Sequence, residues 1–305
     1  MSCCASPVSD TLPEDVREAF ERCMGERCLA VERLSGGRTN TSVGVEALSG
    51  SYVLRIPGEG TNAYIDRRSE FDNMHKLSHL RFLPQICYAD RESGTLVTRR
   101  IKGAVPMGPS DVFDKGRRAA MVDLLVQVHR SGEILENEFD IAKMQKEYAA
   151  RLDDLGIQRP KPLTDVAGDL EEAVEALSRD YPKRMVACHG DPKLNNFLLA
   201  DGRMYLIDWE YSGMADEYFD LANMVMTDCL DERRERLVIE SYEERSGSGL
   251  LREKYLLLKV ATDYLWIHWH LIKLGQGQMP AYNEASWRSR LDRAIGNLKR
   301  LEGLS

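Results

Sequence analysis

The chain has 305 residues, 43% hydrophobic and 30% charged, with 41 basic against 49 acidic side chains and a net charge of −8. That composition supports a globular protein with a sizeable core, disfavours a broad nucleic-acid-binding face and is compatible with attracting a cation. No apolar run reaches the roughly 20 residues that span a bilayer, the first ten residues lack the basic and apolar regions of a signal peptide, and the seven cysteines, without zinc-ligand spacing, read as reduced thiols of a cytoplasmic protein.

Pro13 opens a short helix over 13–24, with Val16, Ala19, Phe20 and Cys23 at helical spacing. Residues 34–42 follow, carrying Gly36 and Gly37. Val43 and Val45 then alternate with small or polar residues, Ser49-Gly50 makes a turn, and 52–56 reads as a second strand. A glycine-rich turn between antiparallel strands lets backbone N–H groups approach a phosphate; the same Gly-Gly pair also suits a plain turn. Arg55, in the second strand, can clamp phosphates bidentately. Glu70, in a helix over roughly 64–79, is its candidate ion-pair partner, with Asp66 and Asp72 as competitors. Residues 95–101 read as a strand whose backbone near Thr98–Ile101 would meet an adenine. The stretch 102–109 breaks the pattern, so the chain divides into 1–102 and 103–305.

The second part opens with a helix over 112–130, with Met121, Leu124, Leu125 and Val128 on one face and His129 as a packing or capping residue. Two further helices fill 138–180, separated by 156–162. Then comes the most informative segment, His-Gly-Asp-Pro-Lys-Leu-Asn-Asn (189–196), with Phe197–Leu199 as a strand, Asp201-Gly202 as a hairpin turn and Met204–Ile207 as the returning strand. The turn brings Asn196 and Asp208 to one end of a ribbon, five positions or one hairpin away from Asp191. This is the set that phosphoryl transfer from ATP needs: Asp191 to orient and deprotonate a hydroxyl, Asn196 and Asp208 to hold Mg2+. The alternative is an ordinary surface hairpin with polar flanks. Asp220 suits a helix N-cap for 221–230. A long amphipathic helix over 251–274 places Trp266 and Trp269 on one face, a spacing that also suits simple core packing, whereas His268 and His270 fall on different faces and do not make a metal site.

The catalytic segment resembles the kinase-like phosphotransferases that include aminoglycoside phosphotransferases and choline kinases. Ile-Asp-Trp-Glu-Tyr-Ser-Gly (207–213) is closer to the choline/ethanolamine kinases, and the resemblance, strongest to bacterial choline kinases, runs from about Leu34 to the C-terminus. It implies a two-lobed protein-kinase-like α+β fold with a small antiparallel-sheet N-lobe covering the nucleotide and a mainly helical C-lobe. It implies that Gly36, Gly37, Thr39 and Asn40 face phosphate, that Arg55 replaces the usual strand lysine, and that Asp220 braces the catalytic loop through backbone hydrogen bonds. Leu-Trp-x-x-Trp (265–269) matches the same family. Tyr211, Trp266 and Trp269 would then cage a quaternary ammonium by cation–π attraction, with Glu210 supplying negative charge, Trp209 packing behind and Tyr282 as a weaker further wall. The implied reaction is Mg2+-dependent phosphorylation of choline by ATP. Ethanolamine, thiamine and aminoglycosides are rival acceptors of the same chemistry. A catalytically silent ATP-binding pseudokinase is the rival of another class, and its mark would be loss of Asp191, Asn196 or Asp208, all of which are present.

Overall fold

The computed structural model describes residues 14–34, 40–58, 61, 65–277 and 284–304. The chain divides into two compact units, Met1–Ala104 and Val105–Ser305. Gly36, Gly37, Thr39, Pro13 and Tyr282 lie outside the described residues.

In the first unit, helix α1 (Glu14–Met24) precedes strands β1 (Cys28–Arg33), β2 (Asn40–Ala47) and β3 (Gly50–Pro57), helix α2 (Arg67–Leu77), and strands β4 (Ile86–Ala89) and β5 (Leu96–Arg99). The strands form one antiparallel sheet in the order β1-β2-β3-β5-β4. Alternation decides which face is covered: Val43, Val45 and Ala47 of β2 and Tyr52 and Leu54 of β3 point to a core that they share with Val16 and Phe20 of α1. Phe20 and Tyr52 meet with ring centroids 5.4 Å apart. Val16 and Phe20 are one helical turn apart, which is why a short helix suffices to cover that face.

The second unit is mainly helical. It contains β6 (Val105–Pro106), α3 (Lys115–His129), α4 (Ile141–Asp154), the single turn α5 (Lys161–Thr164), α6 (Ala167–Asp180), β7 (Met185–Cys188), β8 (Phe197–Ala200), β9 (Arg203–Leu206), β10 (Gly213–Asp216), α7 (Phe219–Thr227), α8 (Glu232–Ser246), α9 (Arg252–Gly275) and α10 (Glu284–Glu302). Helix α9 is the spine, packed by α4, α6, α7 and α10. Its residues from Lys254 to Lys273 are buried at every position except Trp266 and Trp269. Even Asp263 is buried within it, held by Arg290 at 3.0 Å and Arg293 at 2.7 Å from α10. β7 pairs antiparallel with β10, and the β8–β9 hairpin, joined by β6, emerges between them.

Two details differ from the sequence reading. The expected helix over 112–130 starts later, at Lys115, because Asp114 accepts from Arg117 N and caps it, leaving 109–113 as a separate tight turn. Asp220 does not cap α7. Tyr218 occupies that position, and the Asp220 side chain turns away from its own helix.

Candidate active site

In the second unit, β7 delivers the chain into His189, Gly190 and Asp191. Gly190 has φ +84°, and a Cβ there would overlap the carbonyl oxygen of Tyr211, so only glycine allows this turn to lie directly on the 208–212 loop. Asp191 is buried at 4% exposure. The loop closes on itself: Lys193 N donates to Asp191 O at 2.8 Å, Asn196 N to Lys193 O at 2.9 Å, and the Asn196 amide Nδ2 to Asp191 O at 3.0 Å. That last bond commits the nitrogen end of the Asn196 amide inward and leaves Oδ1 as its donor atom for a cation.

The hairpin runs in register from Phe197↔Leu206 to Ala200↔Arg203. Asp201 and Gly202 both have positive φ, +49° and +74°, as the type I′ turn requires. One further bond, Ile207 N to Asn196 O at 3.0 Å, extends the ladder past the strands. Asn196 and Asp208 therefore leave the ribbon at the same end. Asp208 itself sits at φ +69°, a left-handed conformation that costs a non-glycine residue about 1 kcal/mol. An amide oxygen and a carboxylate are hard oxygen donors of the kind Mg2+ takes.

The 189–196 loop is braced from behind. Asp220 Oδ2 accepts from His189 N and Oδ1 from Gly190 N, both at 2.8 Å. His129 Nε2 lies 3.1 Å from the same Oδ2, and His129 Nδ1 lies 2.7 Å from the Tyr242 hydroxyl. Burial alone would raise the Asp220 carboxyl, but the hydrogen bonds from His129 and from the His189 backbone N–H bring it below its ordinary value. Cys188 shares this buried corner; burial pushes its thiol well up, so it stays protonated. His189 is fully buried. Its Nδ1 takes the Asp191 N–H at 3.2 Å, so Nε2 carries the proton toward Ile207 O at 2.9 Å. Desolvation lowers its pKa in keeping with a neutral ring. Trp209 packs edge-on against His189 with centroids 4.6 Å apart and is wholly buried.

Tyr211, Trp266 and Trp269 form two perpendicular contacts, Tyr211–Trp266 at 6.3 Å and Trp266–Trp269 at 5.6 Å, both with planes at 89°. Rings at right angles make the corner of a box rather than a stack. All three are half-buried, and Glu210 beside them is buried. The Lys273 ammonium already sits 5.6 Å from the Trp269 ring. His268, by contrast, faces inward, with Nδ1 2.9 Å from the Gln145 amide nitrogen.

In the first unit, Arg55 reaches Glu70 at 2.5 Å with both side chains buried. The competitors are otherwise engaged: Asp66 caps α2 by accepting from Arg68 N and Ser69 N, and Asp72 pairs with Arg91. Asn40 is buried and accepts from Arg67 at 3.0 Å.

Several residues escaped the sequence reading. Lys193 donates to Asp191 Oδ2; its signal was a cation two residues after the key aspartate. Arg67 holds the second oxygen of Glu70 at 3.0 Å, and Thr61 at 3.1 Å; the i,i+3 spacing from Glu70 was visible. Asp228 accepts from Leu194 N at 2.8 Å, and its carboxyl is pushed up to about 6 by burial and by Asp191. Asn223, buried in α7, had no local signal.

The phosphotransferase enzyme family model matches residues 30–256. Protein LicA of Haemophilus influenzae is 24% identical over 254 residues, covering 80% of this chain and 73% of its own. The crystal structure of choline kinase LicA from Streptococcus pneumoniae superposes with a TM-score of 0.78 at 27% identity, over 94% of this chain and 98% of that one. A choline/ethanolamine kinase family protein from Mesorhizobium loti gives 0.72 at 28% identity, over 89% and 87%. The antiparallel sheet with its helical remainder is thus the protein-kinase-like fold, and the chain belongs to the phosphotransferase enzyme family as an ATP-dependent small-molecule kinase.

Proposed function

We propose that the chain transfers the γ-phosphoryl group of ATP to the hydroxyl of choline, giving phosphocholine and ADP. One observation carries the choice of acceptor. Along twenty residues of an otherwise buried helix, only Trp266 and Trp269 leave the core, and Trp266 meets Tyr211 at a right angle. A trimethylammonium group has no N–H to donate, so aromatic faces suit it, at about 0.5–2 kcal/mol per ring. The buried Glu210 carboxylate complements its charge.

In this reading Asp191 orients the acceptor hydroxyl and takes its proton as the oxygen attacks. Lys193, beside Asp191, tempers the carboxylate's charge. Asn196 Oδ1 and Asp208 would hold Mg2+, which when bound neutralises charge on the phosphates. Arg55, kept in place by Glu70, and the 36–40 segment with Thr39 and Asn40 are assigned to the phosphates. Catalysis is then positioning plus electrostatics, with no covalent enzyme intermediate.

A second reading keeps the chemistry and changes the acceptor to ethanolamine. The buried Glu210 favours it, because a primary ammonium would pair with a carboxylate. ADP release with Mg·ATP and choline, ethanolamine, thiamine or kanamycin decides between them. Turnover dependent on choline is expected. Preference for ethanolamine would discard the aromatic cage and keep the kinase, and no turnover with any acceptor would defeat the proposal.

A further inference from the structure

Asn223 is 0% exposed and lies inside α7, where asparagine is a poor helix former with a side chain that competes for backbone bonds. Both ends of its amide are engaged. Nδ2 donates to Gly190 O at 2.7 Å. Oδ1 accepts from the Trp266 indole Nε1 at 3.0 Å and from the Thr227 hydroxyl at 3.0 Å. Gly190 is the residue before Asp191. Trp266 is the corner of the aromatic wall, between Tyr211 and Trp269. A single side chain therefore ties the wall to the backbone of the loop that carries the catalytic carboxylate.

The chemistry of the amide is specific to that task. A carboxylate of the same shape could accept from Trp266 but could not donate to Gly190. An apolar side chain could do neither and would bury unpaired groups on both sides. An indole has one N–H, and committing it to Asn223 fixes the ring about its own axis, so the aromatic face keeps one orientation. The Thr227 hydroxyl, one helical turn on, shares the same amide oxygen but touches neither the wall nor the loop.

We infer that Asn223 is a positioning residue that sets the register between the acceptor's ammonium and Asp191, so that a cation seated on Trp266 has its hydroxyl at the carboxylate. The inference rests on the aromatic-wall reading above. Positioning of this kind acts on turnover more than on affinity: misplacing a bound group by about 1 Å costs up to 100-fold. An acceptor bound in the wrong register also leaves the phosphoryl group open to water.

The test is steady-state kinetics with choline and Mg·ATP, measuring ADP and phosphocholine separately, on enzyme normalised for folded protein by circular dichroism and Tm. Asn223→Asp keeps the acceptor for Trp266 and loses the donor to Gly190. It is expected to lower kcat about tenfold or more, with KM for choline within about threefold and KM for ATP within about twofold, and to raise the ratio of ADP to phosphocholine. Trp266→Phe breaks the other half of the link. Because both act through one side chain, the double variant should be much less impaired than the product of the two single losses. Unchanged kcat in Asn223→Asp, or strictly multiplicative effects, overturns the inference. Wild-type KM for choline in Trp266→Ala removes the aromatic wall, and the inference with it. Should Asn223→Asp not fold, Trp266→Phe against Thr227→Val decides: the first is expected to lower kcat at least threefold and the second to leave it within twofold, and equal effects overturn the inference.

Discussion

The 189–196 loop, to which catalysis is assigned above, and the aromatic wall are built by opposite means. The loop is largely buried, and its shape is dictated by hydrogen bonds to groups distant in sequence, with Asp220 taking two consecutive backbone N–H groups and Asp228 a third. Two of the wall's three rings are side chains left half-exposed on a helix otherwise buried from Lys254 to Lys273. A hydrogen-bonded loop is over-determined and brittle, because removing one acceptor strands several buried donors. A wall on a rigid helix is tolerant, because the helix stays when a ring goes. Changes to the loop should therefore cost turnover and stability together, and changes to the wall should cost chiefly acceptor affinity, with a smaller loss of kcat where Trp266 gives up its bond to Asn223.

The largest expected effect is on Asp191. Asp191→Ala should lower kcat by about 1,000-fold while nucleotide binding, measured by calorimetry, stays near wild type; turnover within tenfold of wild type would remove it from the chemistry. Next is Asp220→Ala, which leaves His189 N, Gly190 N and the His129 ring without their acceptor. A loss of about 3 kcal/mol in unfolding free energy is expected, with kcat reduced in the protein that remains folded. If only activity fell and urea unfolding were unchanged, the brace would be a chemical group instead. On the wall side, Trp266→Ala should raise KM for choline about tenfold with KM for ATP unchanged. Trp269→Ala should do less, because one of its faces is already near the Lys273 ammonium. Equal losses in choline and ATP would return both tryptophans to a core role.

The same contrast explains what could be read from the chain alone. The hairpin was legible because every cue is local: Asp201-Gly202 dictates the turn, and the turn dictates that Asn196 and Asp208 share an end. Glu70 was chosen as the partner of Arg55, as the structure shows, but the reason that Asp66 and Asp72 lose was not legible, since that depends on which carboxylate caps the helix and which meets Arg91. By residue type and place alone Asp220 suits a helix cap; the brace that the structure shows was implied only by the family resemblance. Its true partners are thirty residues upstream, brought close only by β7 and β10 pairing. Asn223 was invisible for the same reason: two of its bonds go to other elements, and nothing in a helical Asn announces them. Short strands such as β7 and β10, four residues each, carry too little periodicity to be seen unaided.

The smallest expected effect separates two titrating groups that oppose each other. Asp228, in contact with the loop, has its carboxyl at about 6, raised by burial and by Asp191. Between about pH 4 and 6 the folded protein keeps a proton that the unfolded chain releases, so this group's contribution falls as pH rises through that window. His268, on the inward face of the wall helix, is held at about 4 by burial. Between about pH 4 and 6.5 the unfolded chain takes a proton that the folded protein refuses, so its contribution rises with pH. The two slopes offset each other in the wild type. Asp228→Asn can still accept from Leu194 N and removes only the titration. It should gain roughly 1–2 kcal/mol above pH 6, after discounting for partial exposure, and nothing below pH 4, leaving a stability profile that climbs steadily to pH 6.5. A profile parallel to wild type from pH 4 to 7 would mean that the loop carboxylate titrates normally and that the brittle half of the site carries no proton-linked cost.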